Sequence, residues 1–110
     1  MKLPHADRAV VEFRKLHDYC LNPEHPRGRH KARLFKSALG MTADDTLELQ
    51  RLLLSAAHTE DAVFLGADDY GQRYALDFTA RRPSGTAVIR SLWILRVGED
   101  FPRLTTCYIL

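Results

Sequence analysis

The hydrophobic period changes once along this chain, and that change narrows the folds open to it. Before Glu60 apolar residues recur at helical spacing; after it they alternate. Leu47, Leu49, Leu52, Leu53, Leu54, Ala56 and Ala57 put a wide apolar face on a helix from Ala43 to about His58. Thr42 reads as its N-cap, with Asp44 and Asp45 in the first turn, where carboxylates suit the helix dipole. From Gln72 to Thr79, Tyr74, Leu76 and Phe78 alternate with Arg73, Ala75 and Asp77, the pattern of a half-buried strand. Arg82-Pro83-Ser84-Gly85 is a hairpin turn leading into a long strand from Thr86 to Val97. Ile89, Trp93, Leu95 and Val97 share one face of that strand, and Val88, Arg90, Leu92 and Ile94 the other. Ala62–Leu65 reads as a shorter strand before it, and residues 104–110 as the last strand after it.

A run of helices followed by a run of strands indicates α+β. The expected architecture is about three N-terminal helices packed on one face of a C-terminal antiparallel sheet of three to four strands. At 110 residues the chain forms a single domain, 1–110, long enough for one core and too short for two. A helix is expected from Phe13 to about Leu21, with Phe13, Leu16 and Cys20 on one face, stopped by Asn22-Pro23. Residues 9–12 are β-branched and suit either a short strand or the start of that helix. A further helix runs from about Arg29 to Gly40, a C-terminal glycine, with Ala32, Phe35 and Leu39 toward the core.

Between those two helices lies the most unusual stretch. From His25 to Lys36 there are five Arg/Lys residues and two histidines, and no carboxylate. Net charge over the whole chain is only +2, so the basicity is local. Pro23, Pro26 and Gly28 hold the first half out of regular structure and set it against a helix start. Free N–H groups there already favour anions, and Arg27, Arg29, Lys31 and Arg33 strengthen that preference. The stretch reads as a phosphate-handling site. Acidic residues gather elsewhere, at Asp44, Asp45, Glu48, Glu60, Asp61, Asp68 and Asp69.

Two cysteines, Cys20 and Cys107, sit in apolar runs without CxxC spacing, which fits buried hydrophobes in a reducing compartment. No metal-ligand spacing and no cofactor motif is present, and no apolar run approaches the ~18 residues of a membrane span. The N-terminus is too short and polar for a signal peptide, so a cytoplasmic location is expected. Nucleophile elbow, Walker loop and GxGxxG are all missing, which leaves acyl transfer, nucleotide hydrolysis and dinucleotide redox chemistry without support.

General acid–base residues and cations remain. RNA can be cleaved without a metal if a base for the 2′-hydroxyl, an acid for the leaving oxygen and cations for the charged phosphorane converge. His25 and His30 flank Gly28 and are candidate proton-transfer groups. Arg90 interrupts an apolar strand face, either paired with Asp77 or aimed into a cleft. Thr106 and Tyr108 share a face of the last strand, with Arg103 and Thr105 on the other. Tyr70 and Tyr74 either stack a base or belong to the core. The candidate catalytic set is therefore His25, His30, Arg90, Thr106 and Tyr108. The candidate substrate-binding set is Arg27, Arg29, Lys31, Arg33, Tyr74 and Arg103.

His25-Pro26-x-Gly28-x-x-Lys31-Ala32-x-x-Phe35, Tyr70-Gly71-x-x-Tyr74, Trp93 and Pro102-Arg103-Leu104-x-Thr106-x-Tyr108 together resemble a family of small uncharacterised bacterial domains. Its members occur as free-standing short proteins in toxin–antitoxin-like gene pairs and at the C-termini of large secreted toxins. The order of elements, with His and basic residues early and Thr/Tyr late, is more loosely similar to the barnase/EndoU/RelE-like ribonuclease toxins. Gly28-Arg29-His30 resembles the Gly-Gly-His of EndoU domains but lacks the second glycine, which turns attention to His25, Lys31 and Arg90. These resemblances imply a small metal-independent ribonuclease toxin with RNA and a cognate antitoxin or immunity-type protein as partners. The alternative reading is a non-catalytic nucleic-acid- or protein-binding module acting as antitoxin or regulator.

Overall fold

A computed structural model describes residues 1–110. After a single 3-10 turn at Ala6–Arg8, the first helix, α1, begins as α-helix over Phe13–Lys15 and widens into a π turn over Leu16–Cys20. The widening is visible in the bond from Leu21 N–H to the Leu16 carbonyl, 2.8 Å, five residues back. A loop of residues 22–28 leads to α2, Arg29–Leu39. Gly40 ends α2 at φ 66°, and the N–H groups of Gly40 and Met41 close its last turn on the carbonyls of Lys36 and Phe35. That left-handed conformation is open to glycine at little cost.

Thr42 caps the next helix as expected. Its hydroxyl accepts the Asp44 N–H at 3.3 Å and its own N–H donates to the Asp45 carboxylate at 2.9 Å. The segment opens with a 3-10 turn at Ala43–Asp45 and continues as α3, Thr46–Thr59. Thr46, Leu49, Leu53, Ala56 and Ala57 face the core. Leu47 does not, and is exposed to solvent, so the apolar face is narrower than its leucine count implies.

Four strands follow: β1 Ala62–Asp68, β2 Gly71–Arg82, β3 Gly85–Arg96 and β4 Pro102–Ile109, an antiparallel meander in the order β1-β2-β3-β4. The architecture is α+β, with the helices N-terminal and the sheet C-terminal. Tyr74, Leu76, Phe78, Ile89, Trp93, Leu104 and Cys107 join Leu16, Phe35, Leu39, Leu49 and Leu53 in one core. Val97 departs from the expected face: β3 ends at Arg96, and Val97 lies in the following turn, exposed. Residues 9–12 form neither a strand nor a helix start; Val10 makes a single parallel bridge to Arg103. Its N–H and carbonyl bond to Pro102 and Leu104, both at 2.9 Å, and cover the first part of the β4 edge. The second part of that edge stays open.

Trp93 is 1% exposed at the centre of the core. Its indole N–H donates to Ser91 Oγ at 2.9 Å, and Ser91 in turn donates to the Leu76 carbonyl at 2.7 Å. Trp93→Ala is expected to cost about 3–5 kcal/mol as a core deletion. Ser91→Ala, which leaves a buried indole N–H unmatched, is expected to cost about 1–3 kcal/mol. Urea unfolding monitored by circular dichroism measures both.

Candidate functional site

Three local irregularities meet at the open part of the β4 edge. The first is the π turn, which carries Tyr19. The second is Gly28, whose backbone lies against that turn: a Cβ placed on it would be 2.1 Å from the Tyr19 carbonyl oxygen. Only glycine allows the 22–28 loop to seat there. Asn22 holds the loop from the other side, its side chain donating to the Asp18 carbonyl at 3.2 Å and accepting the Glu24 N–H at 3.0 Å. So seated, the loop brings the His25 ring edge-on to Tyr19, with centroids 4.7 Å apart. His25 Nδ1 accepts the N–H groups of Arg27 and Gly28, both at 3.0 Å. An imidazole nitrogen that accepts carries no proton, so the neutral ring has its proton on Nε2.

The third irregularity is a bulge in β4. Leu92 pairs with Thr106 and Trp93 with Leu104, so Thr105 has no opposite residue. Alternation breaks there, and Leu104 and Cys107, three apart, both face the core. Thr105 donates to the Leu92 carbonyl at 3.0 Å. Thr106 is met by Lys31 of α2, whose Nζ donates to Thr106 Oγ1 at 3.2 Å and to the Tyr19 hydroxyl at 3.3 Å. The ammonium also lies over the Tyr19 ring, 4.7 Å from its centroid, and 6.0 Å from that of Tyr108. No carboxylate pairs with it.

Arg14, Lys15, Asp18, Tyr19, His25, Lys31, Thr105 and Thr106 line the resulting cleft, about 470 Å³. Behind it, Cys20 Sγ lies 3.8 Å from Thr106 Oγ1. Both cysteines are free and buried. Hydrogen bonding from Cys107 draws the Cys20 thiol down to about 6 against the opposing effect of burial, with Thr106 and the Lys31 charge adding to it. The same bond and burial push Cys107 well above the usual thiol range.

Of the residues expected from sequence, the structure brings His25, Lys31 and Thr106 together. Tyr108 stands at the margin, its ring 6.0 Å from the Lys31 ammonium, and lies opposite Arg90 across the β3–β4 pairing. Arg90 itself is forked onto Asp77, at 2.8 and 2.9 Å, in a shallow hollow with Val63, Leu65 and Ala75. His30 and Arg27 are exposed and line no part of the cleft. Arg29 and Arg33 lie on the far flank of α2, about 160° around the axis from Lys31 at 3.6 residues per turn, in a groove of their own. Tyr74 is in the core, 3% exposed, its hydroxyl donating to Gln72. Arg103 is forked onto Glu99 at 2.9 Å, has Glu12 at 3.5 Å and stacks on Phe101.

Tyr19, Arg14, Lys15, Asp18 and Thr105 were not anticipated. The charged triplet reads from sequence as the solvent face of a helix. Nothing in the spacing marks Tyr19, because a π turn shifts the phase that periodicity assumes. No group of three or more His, Cys, Asp or Glu side chains is arranged to hold a metal ion. No helix is long and apolar enough to cross a membrane.

Fold and site together define an α+β domain with a cationic, hydroxyl-lined cleft where the edge strand meets a helix-connecting loop. The chain belongs to the family described as Domain of unknown function (DUF6883), whose model matches residues 2–110. No curated protein and no solved structure matches it.

Gly28→Ala forces a methyl group against the Tyr19 backbone and is expected to destabilise the fold by about 1–3 kcal/mol. It should also move the His25 ring resonances in an NMR spectrum, because the loop must lift from the π turn. The Arg90 guanidinium holds the Asp77 carboxyl below its ordinary 3.8. That stabilisation is complete above the ordinary value and is lost as pH falls through the native one. Arg90→Ala should therefore return Asp77 to an ordinary titration, followed by carboxyl NMR, and flatten the loss of stability below about pH 4.

Proposed function

We propose that this protein is a small ribonuclease toxin that cleaves RNA by attack of the 2′-hydroxyl on the adjacent phosphate. The observation that carries this reading is Lys31: a half-buried ammonium with no carboxylate partner, held between two hydroxyls and beside an oriented imidazole. A cation held without a counter-ion at the wall of a cleft is matched by an anionic ligand. Arg14 and Lys15 on the same cleft extend that match along a polyanion.

As the 2′-oxygen attacks, phosphorus becomes five-coordinate and negative charge grows on its equatorial oxygens. Lys31 meets that charge, and the Tyr19 and Thr106 hydroxyls fix the ammonium's position. Asp18, the one carboxylate lining the cleft, takes the 2′-hydroxyl proton. The Lys31 ammonium gives a proton to the departing 5′-oxygen, and His25, whose Nδ1 is occupied by two backbone N–H groups, donates its Nε2–H as a hydrogen bond to a phosphorane oxygen. The products are a 2′,3′-cyclic phosphate and a 5′-hydroxyl, so no water enters the step. The looser similarity to barnase/EndoU/RelE-like toxins supports the same chemistry. Resemblance to domains found in toxin–antitoxin-like pairs supports a toxin's role in the cytoplasm, with a cognate antitoxin or immunity-type partner.

The test is cleavage of end-labelled RNA by purified protein in EDTA, with the 3′ end identified chemically. Lys31→Ala is expected to lower the rate by about 10²–10⁴. His25→Ala is expected to lower it by about 10²–10³, as the loss of one donor to the developing charge, while His30→Ala stays within a few-fold. Full activity in both of the first two variants, or a strict requirement for Mg²⁺, would overturn the mechanism. RNA bound by the wild type but never cut would leave the binding-module reading in its place. In cells, expression should arrest growth, and the product of the neighbouring gene should relieve it.

A further inference from the structure

Along the other flank of α2 runs a second hollow, about 360 Å³. Its aliphatic lining is Leu21, Pro23, Ala32 and Ala43 over the fully buried Met41, and its wall carries Arg29, Arg33 and Lys36. Arg8, Arg73, Arg82, Arg90 and Arg103 are matched to carboxylates elsewhere on the surface. The three groove cations have no such partner. Asp44, on the opposite lip, is the one carboxylate lining the hollow. Helical spacing sets the cations in a line: at 1.5 Å per residue, Arg29 and Arg33 are about 6 Å apart along the axis, and Arg33 and Lys36 about 4.5 Å.

A line of unmatched cations above an aliphatic floor is complementary to a helix of opposite pattern. Carboxylates at i, i+4 and i+7 have the same rise, and an adjoining stripe of Leu or Ile fills the floor. Single-stranded nucleic acid matches the charge but not the floor. Bases bind by stacking on aromatic rings, and no ring lines this groove. From this we infer that the groove docks an acidic amphipathic helix of a partner protein, in the helix-in-groove mode. The aliphatic insertion supplies affinity, while the cations set encounter rate, orientation and choice of partner. The inference stands on the geometry of α2 and does not rest on the ribonuclease reading.

The test uses a fluorescein-labelled synthetic helical peptide with leucines at helical spacing flanked by glutamates. A second peptide has lysine at every glutamate position, and an unlabelled single-stranded RNA serves as competitor. Anisotropy should show salt-sensitive binding of the glutamate peptide and none of the lysine peptide. Arg29→Gln/Arg33→Gln/Lys36→Gln, at solvent-facing helix positions and checked by circular dichroism, should weaken binding by about tenfold or more. Lys31→Ala should leave it unchanged, and Arg29→Glu/Arg33→Glu/Lys36→Glu should bind the lysine peptide instead. Equal binding by wild type and the Gln variant, or no binding by the wild type, overturns the proposal. So does displacement of the peptide by RNA together with loss of RNA binding in the Gln variant, which would make the groove a nucleic-acid surface.

Discussion

Where the charges of the basic run end up follows from how α2 lies on the sheet. Ala32, Phe35 and Leu39 form its contact stripe, and Phe35 and Leu39 are completely buried. Burying each of those two side chains contributes roughly 1.5–3 kcal/mol, so turning the helix by even one residue is costly. With the phase set, the basic residues have no choice of side. Lys31 is carried to the β4 edge, whereas Arg29, Arg33 and Lys36 are carried to the opposite flank. One basic run in sequence becomes two surfaces in space, divided by a wall of core side chains.

The cleft at the β4 edge is made from departures from regular structure. A π turn, a strand bulge and a glycine packed on a carbonyl each cost something locally, and each is compensated by a specific contact. Leu21 still finds the Leu16 carbonyl, and Thr105 turns its hydroxyl onto Leu92. His25 draws two loop N–H groups onto one ring nitrogen. Bulges and π turns place side chains where regular periods cannot, which is why they gather at functional positions. Here they put a tyrosine, two threonines, a histidine and a lysine around one space.

The remaining charges sort by whether they are matched. Asp68, Asp77 and Glu99 each accept from an arginine, and in every case that hydrogen bond holds the carboxyl below its usual range. The Asp68 and Asp77 pairs are exposed enough to add little to stability and to lose strength in salt, whereas Arg103–Glu99 is half-buried. Their main effect is to remove those arginines from the set available to a ligand. Arg90 and Arg103, which interrupt apolar strand patterns in the sequence, belong to that set of matched groups. What is left unmatched along α2 is Lys31 on one flank and the three-cation groove on the other.

The sequence by itself determined the order of elements, the Thr42 cap, the Gly40 stop, the hairpin at Pro83-Ser84 and most of the core. Each of these depends on residues a few positions apart within one element, where period and backbone preference act directly. It also marked His25, Lys31 and Thr106, because a Pro/Gly loop rich in cations and a polar interruption of a strand are local signals. Only the tertiary structure decided that these three meet, that Tyr19 and Asp18 join them, and that Arg29 and Arg33 do not. Periodicity predicts which way a side chain points only while the period holds. At the π turn and at the Thr105 bulge it fails, because both are stabilised by contacts with segments distant in the chain.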